Sequence, residues 1–195
     1  MRLFGITGGI GMGKSTAGNL LVKEGYSLID TDDIARQIVQ PDTPALCEIK
    51  SYFGNEIISA EGKLRRDDLA KIVFSDSAAR SKLESILHPR IRAAWQAEIQ
   101  NWRTQGKAVG FVVIPLLFET NAAVLFDAVV CVACSAATQL ERLKSRGWNE
   151  SQIAARISAQ WPVEQKIGAS DYVVWTETNL EVHAAQWKRI FTTTI

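Results

Sequence analysis

Apolar residues along this chain follow two alternating patterns. One is the short unbroken run: LFGIT, YSLID, VGFVVI, FDAVVCVACS and SDYVVW. LFGIT, VGFVVI and FDAVVCVACS are near-continuously apolar, which predicts strands covered on both faces, as in a parallel sheet, and YSLID and SDYVVW read as two further short strands. The other pattern repeats every three or four positions and predicts helices. KSTAGNLLVKEG stops at Gly25, and DDIARQIV carries Ile34, Ile38 and Val39 on one side. ATQLERLKSRG is expected to turn Leu140 and Leu143 inward. NESQIAARISAQW has Asn149 or Ser151 as its cap, and NLEVHAAQWKRIF closes the chain as an amphipathic helix. Strand and helix alternate, which predicts an α/β body of five parallel strands in three layers.

The alternation lapses between 41 and 105. ALCEIKSYFG and DDLAKIVF have helical spacing, and ISAEGKLRR reads as a turn or small hairpin around Gly62. A long helical pattern follows, with Leu83, Ile86, Leu87, Ile91, Trp95 and Ile99 recurring, and Pro89 is expected to divide it. The pattern places a core at 1–40 and 106–195, a lid at about 138–168, and a helical insertion at 41–105 that has room for a second substrate.

Charge and cysteine content narrow the class. The 195 residues carry 22 basic and 21 acidic side chains, a balance of +1, so no strong field points to nucleic acid or anionic lipid. The three cysteines are an odd count without a disulfide framework, which suits a reducing compartment. Cys131 and Cys134 lie in an apolar run and read as core. No stretch approaches the ~20 apolar residues that cross a bilayer. MRLFGITGG lacks a secretory h-region, so the expected location is the cytoplasm.

Candidate chemistry gathers first at GGIGMGKS, residues 8–15, which fits GxxxxGK[ST] between an apolar strand and a helix. Glycines there let backbone N–H groups turn inward around a phosphate, and the helix N-terminus adds its own donors and dipole. Lys14 suits the outer phosphates of a nucleoside triphosphate, Ser15 suits Mg²⁺, and Thr16 an α phosphate. The chain lacks an NKxD base-reading stretch and an apolar strand ending in Asp-Glu. A small kinase fits better than a guanine switch or a motor. An acceptor alcohol needs a carboxylate, and Asp32 is either that base or a helix cap. Arg142 and Arg146, four apart, read as a solvated face or as lid residues that neutralise phosphoryl oxygens, with Arg156 nearby.

Together these segments resemble the dephospho-CoA kinase family. The resemblance runs through GITGGIGMGKST, LIDTDDIARQIV, GKLRRDDLAKIVF, LESILHPRI, VIPLLFE, QLERLKSR and the later SAQ. It implies a three-layer P-loop NTPase fold and ATP-dependent phosphorylation of the ribose 3′-hydroxyl of dephospho-CoA, with Mg²⁺. It implies catalytic roles for Asp32, Lys14 and Arg142. ATP would be held by Gly11, Met12, Gly13, Lys14, Ser15, Thr16, Arg142 and Arg146. The acceptor would lie near Thr7, Asp32, Arg36, Arg66, His88, Pro115, Leu116 and Glu119. From the residues alone, His88 also reads as a helix terminator, Arg66 as a turn residue, and Pro115 and Glu119 as a strand end and a cap. A monomer acting on ATP and dephospho-CoA, without nucleic-acid or membrane partners, is expected. Other readings are a different small nucleoside or metabolite kinase, or an ATP-binding regulatory module. Three departures from the family pattern stand out: Thr31 for alanine, Gly147-Trp148 for an acidic residue, and Thr176 for asparagine. Gly147-Trp148 there is expected either to change the lid hinge or to bring a stacking surface to adenine.

Overall fold

Five strands pair in parallel in the order β2-β3-β1-β4-β5. They are β1 (Arg2–Thr7), β2 (Ser27–Asp30), β3 (Val109–Val113), β4 (Ala128–Ala133) and β5 (Tyr172–Trp175). The computed structural model describes residues 1–194. Every residue of β3 and β4 is buried, as their continuous apolar runs require. Central β1 takes β3 on one edge, with Phe4 beside Phe111, and β4 on the other, with Thr7 beside Cys131.

Helices cover both faces. On one, Phe4, Ile6, Phe111, Val130 and Val174 pack against Ala17 and Leu21 of α1 (Lys14–Lys23) and Trp187 and Ile190 of α9 (Leu180–Thr194). On the other, Cys131, Ala133, Cys134 and Met12 pack with Val163 and Ile167 of α8 (Val163–Gly168). Burial pushes the Cys131 thiol up to about 11, as expected of a cysteine that fills core. Two further helices stand between β4 and α8: α6 (Ala136–Lys144) and α7 (Glu150–Ser158), capped by Asn149 in a capping box with Gln152.

The chain divides into two compact units, residues 1–30 with 102–195, and residues 31–101. The helical unit therefore starts with α2 (Thr31–Gln37) rather than at residue 41. It also holds α3 (Pro44–Phe53), α4 (Arg66–Ser75) and most of α5 (Ser77–Thr104). Val39, Ala45, Ile49, Ile57, Leu69 and Ile86 form its core. The small hairpin exists: Ile58 and Leu64 bridge antiparallel across a left-handed Gly62. Among the described residues no helix is long and apolar enough to cross a membrane.

Three expectations fail. Pro89 does not divide its helix, and α5 runs through it from Ser77 to Thr104. A proline there costs about 3 kcal/mol, but Ile86 before it and Trp95 and Ile99 after it are buried, and that burial outweighs the lost bond. Arg90 also donates a guanidinium N–H to the Ile86 carbonyl at 2.7 Å. His88 consequently sits inside a helix and terminates nothing. On α6, Leu140 is exposed, and Gln139 turns inward with Leu143, four residues on.

Candidate active site

The loop from Gly8 to Gly13 joins β1 to α1. Gly11 and Gly13 are left-handed, at φ +76 and +95. A Cβ on Gly8 would lie 2.1 Å from the Val132 carbonyl oxygen, so a side chain there has no room. Gly13 is the residue before α1, and no side chain caps that helix end. No acidic residue stands in its first turn either. The N-terminal amides and the positive dipole end are thus left to an anion. Lys14 folds over the loop, donating from Nζ to the carbonyls of Gly8 at 2.8 Å and Gly9 at 3.0 Å. Ser15 and Thr16 are exposed beside it.

Two glutamines hold the Ile10 peptide. Gln139 donates to its carbonyl at 2.7 Å, and Gln160 accepts from its N–H at 2.9 Å. Neither was among the expected site residues. The 139/143 spacing was the available signal for Gln139. Thr176 ties the other side of the loop. Its hydroxyl donates to the Met12 carbonyl at 2.9 Å and accepts from Arg142 at 2.9 Å. Arg142 also donates to the Thr176 carbonyl at 2.6 Å and reaches the Gly11 carbonyl at 3.5 Å. Arg142 thus stands against the phosphate loop. Burial lowers the pKa of His183 on α9, and the nearby Arg142 charge adds to the effect.

Beyond β3, Thr7 donates its hydroxyl to the Pro115 carbonyl at 3.2 Å. Lys166 of α8 donates to the same carbonyl at 2.6 Å and pairs with Glu119 at 2.9 Å. In the helical unit Asp32 is the second residue of α2 and is exposed, so the residue before the helix is Asp30, not Asp32. Arg36 pairs with Asp33. Arg66 donates to the Arg36 carbonyl at 3.4 Å. Burial lowers the Arg66 pKa, and the Arg36 charge adds to this. Two guanidinium-bearing residues drawn together in this way suit an anionic ligand.

A sequence model described as dephospho-CoA kinase matches residues 2–181. The chain belongs to the dephospho-CoA kinase family. It is 43% identical over 175 residues to a dephospho-CoA kinase of Anaeromyxobacter dehalogenans, covering 89% of this chain and 83% of that one. It is 40% identical over 195 residues to one from Thermobifida fusca, covering 97% and 96%. Among solved structures, a dephospho-CoA kinase from Campylobacter jejuni matches at TM-score 0.71 and 28% identity, over 98% of this chain and 96% of that one. A shikimate kinase from Acinetobacter baumannii, 14% identical with TM-score 0.54 over 100% and 96%, shares the fold.

One expectation fails just beyond α6. Arg146 does not share a helical face with Arg142, because α6 ends at Lys144 and the chain turns through a left-handed Gly147. The Arg156 guanidinium lies 4.2 Å from the Trp148 ring centroid, so this ring already carries a stacking partner. His88 is exposed on α5. The fit to a magnesium nucleotide rests on the donor set. Ser15 offers a hydroxyl beside a glycine-rich loop in which Gly8 has no room for a side chain, and Mg²⁺ takes oxygen ligands, keeps several waters and needs few protein groups.

Proposed function

We infer that this protein transfers the terminal phosphoryl group of ATP to the ribose 3′-hydroxyl of dephospho-CoA, giving CoA and ADP. The observation that carries the reading is the bare loop of residues 8–13 leading into an uncapped helix, in a chain of this family. Residues 11–16 bind the polyphosphate through backbone N–H groups and the Lys14 ammonium. Arg142 and Arg146 supply further positive charge for the phosphoryl oxygens.

Asp32 orients the acceptor hydroxyl and accepts its proton. Chain continuity supports this role: Asp32 follows β2 by two residues, and ligands of parallel sheets gather at carboxyl strand ends. The freed oxygen attacks the γ phosphorus as the bond to the β–γ bridging oxygen breaks, and ADP leaves with that electron pair. No covalent enzyme intermediate is required. Arg36 and Arg66 bind acceptor phosphates, and His88, Pro115, Leu116 and Glu119 line its path; Thr7 is fully buried, its hydroxyl given to the Pro115 carbonyl, and does not reach the acceptor. Ser15 would hold Mg²⁺ in part, and the ion would supply charge neutralisation for the polyphosphate. The protein works as a monomer in the cytoplasm.

The test is CoA formation from dephospho-CoA and ATP, with magnesium omitted as control. Product that depends on all three supports the reading. Equal or faster turnover of a nucleoside would assign another kinase activity. Nucleotide binding with no product from any acceptor would assign a regulatory module.

A further inference from the structure

A fully buried lysine stands behind the phosphate loop and takes no part in the reaction as derived above. Lys166 is 0% exposed. An unpaired ammonium at such a site costs several kcal/mol, so its partners reveal what holds it there. They are the Pro115 carbonyl at 2.6 Å and Glu119 Oε1 at 2.9 Å. Both partners have second contacts. The Pro115 carbonyl also accepts from the hydroxyl of Thr7, the residue just before Gly8. Glu119 Oε1 also accepts from the Trp161 N–H at 2.7 Å. Next to Trp161 stands Gln160, whose side-chain carbonyl accepts from Ile10 N–H at 2.9 Å. The Trp161 ring is stacked on Phe118 at 5.7 Å, which holds the same segment from its apolar side.

These bonds close a ring. It runs from Thr7 at the root of the loop through Pro115, Lys166 and Glu119 to Trp161 and Gln160, and returns to the loop at Ile10. A loop of four glycines has few side chains to hold its own shape. The ring supplies that restraint from outside. The Lys166 charge is matched by Glu119, so its effect on the site is geometric more than electrostatic.

We propose that Lys166 is a positioning residue for phosphoryl transfer. Its bonds to Pro115 and Glu119 seat the Gln160–Trp161 strap on Ile10 and so set where the loop amides and Lys14 meet the nucleotide. The proposal rests on the function inferred above. It predicts that loosening the ring weakens ATP more than the acceptor.

Removing Lys166 alone would leave the Glu119 carboxylate buried without its cation, and such a variant tests folding rather than positioning. The informative variants are the neutral pair Lys166→Met with Glu119→Gln, and the single Gln160→Leu, which leaves the ion pair intact. ATP affinity is measured by calorimetry, KM for ATP and for dephospho-CoA by CoA formation, and folding by thermal melting. Expected is a rise of at least about fivefold in both the Kd and the KM of ATP for Gln160→Leu, the size of one lost hydrogen bond. The KM of dephospho-CoA should change by less than half as much, with melting retained. The neutral pair, if folded, should raise the Kd of ATP by a similar factor; its KM for dephospho-CoA is not compared, because Glu119 also lies on the acceptor's path. A smaller rise in the Kd of ATP for folded Gln160→Leu overturns the proposal, whatever the neutral pair does. If the parent protein makes no CoA, the inferred function fails, while the calorimetric Kd still decides the role of the ring.

Discussion

Single atoms decide how this site is held. The Thr176 hydroxyl bridges the Met12 carbonyl and Arg142, where the family pattern has asparagine. One hydroxyl both donates and accepts at this junction. Asp32 carries the sharpest chemical prediction. Asp32→Asn should lower kcat by roughly 10²–10⁴-fold, the range for a lost general base, and leave the Kd of ATP within about twofold. Steady-state turnover beside calorimetry checks this, and an unchanged kcat would remove Asp32 from the role. His183 makes a pH prediction. Its Nε2 is buried with no hydrogen-bond partner among the described residues, and its pKa is lowered from 6.5. The neutral imidazole therefore contributes stability above pH 6.5, and this is lost as pH falls toward the lower folded value. Melting temperatures between pH 7 and 5 should fall in the parent and fall less steeply in His183→Leu.

Secondary-structure elements show local preference overruled by packing. Helix α5 keeps Pro89 inside it. Proline has no N–H to give the Ser85 carbonyl and crowds that turn. Pro89→Ala should therefore stabilise the protein by about 1–3 kcal/mol, read as a higher urea midpoint at unchanged m-value. Helix α6 shows the same contest in reverse. An apolar residue, Leu140, is left in solvent because Gln139 takes the inward position and its amide satisfies the Ile10 carbonyl. Helix α1 begins without a capping side chain, so its first amides remain available to phosphate.

At the scale of the whole molecule, the loop couples nucleotide binding to stability. ATP with Mg²⁺ at about 100 times its Kd should add ~2.7 kcal/mol and raise Tm by roughly 5–10 °C, and Lys14→Met should abolish most of that shift in a thermal melt. Five strands, their parallel pairing and the phosphate loop were legible along the chain. Each depends on neighbours in sequence: unbroken apolar runs, glycines, and a lysine and hydroxyl at set spacing. Lys166 was not legible, since nothing in VEQKIG marks its lysine for burial before α8 packs on β4. Nor were Gln139 and Gln160, whose partner Ile10 lies 129 and 150 residues away. Such groups are chosen by the burial of polar atoms that must be paired, and pairing across those separations exists only once the sheet has assembled.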